Sequence, residues 1–216
     1  MGRPAMSARA PFDVDAVAAA AMDVFLRRGY AATSMDQIAE TLGIRKASLY
    51  HHVASKEELL RRGVERAFDA LTAVFDEPSA RHGRAIDRLR YVLTRIAEVT
   101  LARAAEASLV IRTRGNTPFE EAIIHRRRAI DAAFAALVGA AADEGTLRAD
   151  MPPALLARMM LGTTNALTEW YRSDGALAAA EIAQAVAAML LDGAQAPSAI
   201  SAAAAPPRRE RRGRRG

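Results

Sequence analysis

The sequence predicts an all-α protein, an N-terminal three-helix unit followed by a larger C-terminal helical unit. Three observations carry this: alanine and leucine are abundant, no segment alternates β-branched with polar residues, and most Gly and Pro residues fall between periodic segments instead of inside them. At 216 residues the chain is long enough for one domain of ordinary size plus a smaller one, with apolar residues to fill a core. The absence of cysteine excludes a disulfide scaffold, thiolate catalysis and zinc sites built on Cys, and it fits a reducing compartment. No apolar run reaches the roughly 18 residues of a membrane span, and Met1 to Pro11 lacks the continuous apolar stretch of a secretory signal. A cytoplasmic protein is expected.

Helices are expected over 13–28, 34–42, 45–52, 55–76, 84–102, 104–112, 119–144, 153–172 and 177–192. In the first, Val14, Val17, Ala21, Val24 and Phe25 recur at three- and four-residue steps and form one apolar face. Arg27 and Arg28 suit its negative C-terminal end, and Gly29 supplies a residue that stops the helix in the left-handed conformation. The second opens on Ser34 with Gln37 three residues on, a capping box in which each side chain satisfies a free backbone N–H of the other. Met35, Ile38, Ala39 and Leu42 make a short stripe that Gly43 ends.

The chain restarts almost at once between the apolar anchors Ile44 and Val53, with Arg45, Lys46, Ser48, Tyr50, His51 and His52 on the outer face. A short helix, a tight turn with Gly and a second short helix of this chemistry fit a helix-turn-helix whose second helix enters a major groove. No acid lies between Glu40 and Glu57, and an acid there would repel phosphate. Ser55 with Glu58 reads as a second capping box opening a long helix with Leu59, Leu60, Val64, Ala67, Phe68, Leu71 and Phe75 facing inward. Lys56 sits at its first turn, near where phosphate would lie.

This region resembles the DNA-binding signature of the TetR family of transcriptional regulators. The resemblance rests on Gly29-Tyr30-Ala31-Ala32-Thr33-Ser34-Met35-Asp36-Gln37-Ile38-Ala39, then Leu42-Gly43-Ile44-Arg45-Lys46-Ala47-Ser48-Leu49-Tyr50-His51, then Ser55-Lys56-Glu57-Glu58-Leu59, in that order and spacing. The aromatic pair that usually follows the histidine is replaced by His52 and Val53. The resemblance implies phosphate contacts from Thr33, Ser34, Tyr50, His51 and Lys56, and base-edge contacts from Arg45, Lys46 and Ser48. It also implies a repressor with a ligand cavity among its C-terminal helices, released from its operator by a small molecule. Packing and capping alone is the other reading of Tyr50 and Ser34.

The C-terminal helices carry core stripes: Ile86, Leu89, Leu93, Ile96 and Val99, then Phe119, Ile123, Ile130, Phe134, Leu137 and Val138. Arg112, Arg114, Arg126 and Arg128 are many cations for one neighbourhood, either a solvated face or an attraction for an anionic ligand. The run from Asn165 to Arg172, which holds Trp170, followed by the turn Ser173-Asp174-Gly175, resembles the C-terminal domain of acyl-CoA-responsive members of the family. The ligand site is therefore expected among Arg95, Arg128, Asn165 and Trp170, for an acyl-CoA or another anionic or apolar metabolite. The last two helices present Leu155, Leu156, Met159, Met160, Gly162, Thr163, Ala166, Ile182, Val186, Met189 and Leu190, which either pair with a second copy across a twofold axis or complete the chain's own core.

Four segments follow: a basic arm with Arg3 and Arg9 over 1–11, a helix-turn-helix domain over 12–58, a ligand-binding and dimerisation domain over 59–193, and a disordered Ala/Pro/Arg-rich tail over 194–216. Six arginines from Arg208 to Arg215, set against Glu210, account for the entire net charge of +5. The high pI therefore belongs to a tail that either attracts phosphate without specificity or only aids solubility. His51 and His52 point about 100° apart and lack the i,i+4 spacing of a metal pair. No metal, cofactor or enzymatic motif is expected. A ligand-independent architectural DNA-binding protein is the alternative to a ligand-responsive regulator, and an enzyme or lipid carrier built on the helical cavity is a third reading.

Overall fold

A computed structural model describes residues 14–172 and 174–193. The expected arm over 1–11 and the tail over 194–216 lie outside the described residues. Ten helices, with no strand among the described residues, follow in order: α1 (Val14–Arg28), α2 (Met35–Thr41), α3 (Lys46–His52), α4 (Lys56–Val74), α5 (Pro78–Arg81), α6 (Ala85–Ala102), α7 (Ala104–Arg112), α8 (Pro118–Asp143), α9 (Pro153–Trp170) and α10 (Ala179–Asp192).

The helices α2 and α3 have seven residues each, and helices this short need tertiary support, which α1 and the start of α4 supply. The four close on Phe25, Met22, Ile38, Leu49 and Leu59, all essentially without solvent exposure. Ala105 and Leu109 of α7 pack into the same cluster, so this core is completed from outside the helix-turn-helix. Gly29 and Gly43 take φ of +84° and +63°, which lets the chain reverse after α1 and turn between α2 and α3 where a Cβ would be strained. Ser34 caps α2 as a full box, its Oγ accepting from the Gln37 N–H at 3.3 Å while Gln37 Oε1 accepts from the Ser34 N–H at 2.9 Å. At α4 only half of the expected box forms. Ser55 Oγ accepts from the Glu58 N–H, but Glu58 reaches past Ser55 to the Ala54 N–H at 2.8 Å and also holds Arg62, and these bonds lower its pKa.

The C-terminal unit wraps α4, α6, α8, α9 and α10 around Leu89, Val92, Leu93, Phe134, Val138 and Met160. A satellite cluster of Val64, Phe68, Val110 and Ile123 joins α4, α7 and α8. A third cluster seats Ile182 and Val186 of α10 against Ala97, Leu101 and Leu167. Of the two readings of the last helices, Ile182, Val186 and Met160 follow the second and are buried in the chain's own core. On α9, Leu155, Met159, Gly162, Ala166 and Trp170 remain exposed at helical spacing, and Met189 of α10 is also exposed. No described helix is long and apolar enough to cross a membrane.

Candidate nucleic-acid interface and ligand chamber

The outer face of α3 is set by what its inner face must bury. Leu49 and Val53 point into the core, which leaves Arg45, Lys46, Tyr50 and His51 exposed and Ser48 half-buried. Arg45 occupies the N-cap position, its guanidinium without an ion-pair partner among the described residues. The Lys46 ammonium meets the Asp36 carboxylate of α2 at 2.7 Å and stands 5.9 Å from the centre of the Tyr50 ring, and Asp36 raises its pKa. Ser34 is exposed at the start of α2.

Two residues expected at phosphate are turned inward. Thr33 is 2 % exposed, and its hydroxyl donates to the Gly29 carbonyl at 2.8 Å. The Lys56 ammonium donates to the carbonyls of Tyr30 and Thr33 at 2.8 and 2.9 Å, with Ala31 at 3.4 Å, and lies 4.4 Å from the centre of the Tyr30 ring. An ammonium has three donors. In this arrangement they hold the turn between α1 and α2 against the start of α4.

Some 12 residues further along α4, Ala67, Phe68 and Leu71 form one wall of a chamber of about 60 Å³, closed by Ile96 of α6, Val110 and Ile111 of α7, Ile130 of α8 and Leu161 of α9. The chamber shares Ile111, Arg127, Asp131, Leu161 and Asn165 with a cleft of about 450 Å³ between α8 and α9, where Arg128 and Arg158 add to the charge. Asp131 sits at the join, reachable by solvent yet desolvated enough to titrate above the usual carboxylate range, with Arg127 and Arg158 pulling the other way. Three guanidiniums around one carboxylate make the cleft electropositive.

Of the expected ligand residues, the structure brings Asn165 and Arg128 to this cleft. Arg95 is held elsewhere by Glu77 at 3.1 Å and by Glu98, which raise its pKa further, and Trp170 is 58 % exposed at the end of α9. The arginine neighbourhood divides as well, since Arg112 pairs with Glu169 and Arg126 with Asp69. Sequence reasoning missed Arg127, Arg158 and Asp131. Asp131 and Arg158 lie 27 residues apart and carry no local signal, although Arg127-to-Asp131 spacing on a helix could have marked an i,i+4 polar pair.

Comparison with known proteins places both halves of the chain. Residues 17–62 match the family described as bacterial regulatory proteins, tetR family, and residues 82–194 match a tetracyclin repressor-like C-terminal domain. The crystal structure of SCO3833, a member of the TetR transcriptional regulator family from Streptomyces coelicolor A3, is 41 % identical and superposes with a TM-score of 0.75 over 90 % of this chain and 97 % of that one. The HTH-type transcriptional repressor KstR2 of Mycobacterium tuberculosis is 29 % identical over 180 residues, which is 81 % of this chain and 88 % of the relative. The structure of ketosteroid transcriptional regulator KstR2 from that organism, 26 % identical, superposes with a TM-score of 0.76 over 86 % of this chain and 96 % of that one.

Proposed function

The chain belongs to the TetR family of bacterial transcriptional regulators, and from that premise we propose how its operator binding is read and released. It is a sequence-specific DNA-binding regulator of the repressor type, as KstR2 is named. Residues 12–58 form the DNA-reading unit and 59–193 the sensing and dimerising unit. Arg45, Lys46 and Ser48 reach base edges, Ser34, Tyr50 and His51 contact the phosphate backbone, and Thr33 and Lys56 act by holding the α1–α2 turn in place. The exposed stripe of α9 with Met189 of α10 pairs with a second copy, and Gly162 and Ala166 allow close helix approach. The protein works in the cytoplasm.

The single observation that carries the release mechanism is that α4 begins in the DNA-reading unit, tied there by Lys56, and ends as a wall of the chamber. Ligand sites usually occupy roughly 300–1,000 Å³. A chamber of about 60 Å³ admits an apolar group only by moving its walls, two of which are Phe68 and Leu71 of α4. The effector that fits has an anionic part for Arg127, Arg128 and Arg158 beside Asn165, and an apolar end that pries the chamber open. An acyl-CoA thioester has this chemistry. The architectural alternative loses ground because a rigid scaffold has no need of a deformable chamber on its connecting helix.

The test selects an operator from genomic DNA with the full-length protein, then screens acyl-CoA thioesters and other anionic amphiphiles for thermal shift and operator release. Effectors must bind free protein and operator complex with affinities that differ by the factor by which they weaken DNA binding, about 5–150-fold for a coupling of 1–3 kcal/mol. Equal effector affinity for the two forms rules the mechanism out.

A further inference from the structure

A second cleft, of about 620 Å³, opens between the DNA-reading unit and the C-terminal helices. Tyr30 and the first turns of α4 form one side, and the end of α7 with the start of α8 forms the other. Its walls are largely apolar, with Leu60, Leu109 and Phe119 only partly covered, so a bound apolar body would remove them from water.

The charges around it favour one sign. The Glu57 carboxylate has no hydrogen-bond or ion-pair partner among the described residues. The Glu120 carboxylate accepts from the Gly115 and Asn116 N–H groups at 3.0 and 2.7 Å and has no cationic partner among the described residues. The cation that lines the cleft, Arg112, is already neutralised by Glu169 at 3.2 Å. Tyr30 has one ring face under the Lys56 ammonium, and burial together with Glu57 raises its pKa, so it offers a neutral hydroxyl. An anion would be repelled here. A neutral molecule would strip water from Glu57 without replacing it. A cation on an apolar body satisfies both the walls and the carboxylate.

The cleft also touches the effector chamber through one layer of side chains. Val64 and Ile123 line the cleft, Phe68 and Val110 line the chamber, and the four form a single buried cluster. An occupant of the cleft therefore backs the partition that a chamber ligand must move.

We propose that this interdomain cleft is a second effector site, which takes an organic ammonium ion with an apolar body and clamps the DNA-reading unit to the sensing unit. The experiment titrates full-length protein, free and on its selected operator, with 4-phenylbutylamine, 4-phenylbutyrate and 4-phenylbutanol, which share a body and differ in the charge of the head. The amine is expected to bind at least tenfold more tightly than the other two, and saturation with it to change operator affinity at least threefold. Glu57→Gln should remove at least fivefold of the amine's affinity, and Thr113→Trp, which narrows the cleft from its rim, should weaken all three probes. Arg148→Ala, at a surface pair with Asp150 that lines neither cleft, should leave amine binding unchanged. Equal affinity for the three probes, amine binding indifferent to Glu57→Gln and Thr113→Trp, or saturation without any change in operator affinity would each overturn the proposal. Because the probes bear opposite charge preferences at the two sites, failure here is distinguishable from failure of the anionic effector reading.

Discussion

Arg45 and Lys46 stand side by side at the start of α3 but enter a DNA complex from different states. Arg45 is exposed and holds no ion pair among the described residues, whereas Lys46 must exchange Asp36 for its new partner. Arg45→Ala is expected to cost roughly 1–3 kcal/mol of specific operator affinity if the arginine reads a base bidentately. Lys46→Ala should cost less. Asp36→Asn should strengthen binding to operator and random DNA alike and steepen its salt dependence, since an unpaired lysine releases more counterion. Fluorescence anisotropy across a salt series measures all three, and an unchanged slope for Asp36→Asn would count against the exchange. Lys56→Met separates two roles: a lysine that serves only phosphate leaves the melting temperature alone, whereas one that ties Tyr30 and Thr33 lowers both melting temperature and operator affinity. We expect both to fall. Glu106 gives a pH test. It is 6 % exposed at the α1–α7 contact, and burial raises its pKa above the usual 4.5. The folded state then binds its proton more readily than the unfolded state, so this group costs stability above its folded pKa and ceases to do so below about 4.5. Glu106→Gln should accordingly raise stability in urea melts near neutral pH, with the advantage shrinking as pH falls toward 4.5. A constant difference across that range would contradict the assignment.

Between elements, α1 and α4 meet closely at a glycine. A Cβ built on Gly63 would lie 2.6 Å from Met22 Sδ, and Met22 is fully buried. Gly63→Ala would gain up to about 1 kcal/mol of helix propensity and lose about 1–3 kcal/mol to overpacking. The net expectation is a modest destabilisation that reverses sign in a Met22→Ala background, where the Cβ has room. A double-mutant cycle by denaturant unfolding checks this, and additivity of the two changes would refute it. Nothing in the sequence marks this contact, because it depends on where two helices cross. By contrast, the helix order was legible from local signals: Ser34 with Gln37 opened α2, Gly43 closed it, and Pro118 and Pro153 stand at the first turns of α8 and α9. The helix α5 was missed since four residues, Pro78–Arg81, are too few to show a period. The end of α4 at Val74, two residues before the expected Asp76, follows from the turn that feeds α5. The outer face of α3 was readable because chemistry and periodicity coincide there. The cleft between α8 and α9 was not, since Arg158 joins Arg127 and Asp131 only when α8 packs on α9.

For the whole molecule, the proposed pairing through the exposed stripe on α9 would decide whether one copy can act alone. Two recognition helices enter successive major grooves when they sit roughly 34–36 Å apart, which needs a second copy held at a fixed distance. Met159→Glu and Ala166→Arg place charges on surface that the single chain leaves open, so they should spare the melting of the monomer while shifting sedimentation to the monomer and abolishing operator binding at nanomolar protein. A variant that stays dimeric would remove the α9 seam from consideration. Gly162→Ala meets nothing within 4 Å in the single chain, so any loss of dimer it causes must arise from the partner. The core of the DNA-reading unit has a consequence for engineering hybrids. Because Ala105 and Leu109 of α7 fill the cluster around Phe25, Leu49 and Leu59, residues 1–58 are not an interchangeable cartridge. A chimera that transplants them onto the sensor of another regulator inherits a hydrophobic hole unless the α7 face travels with them, and sensor swaps across this fold should succeed or fail according to that graft rather than to the fit of the linker.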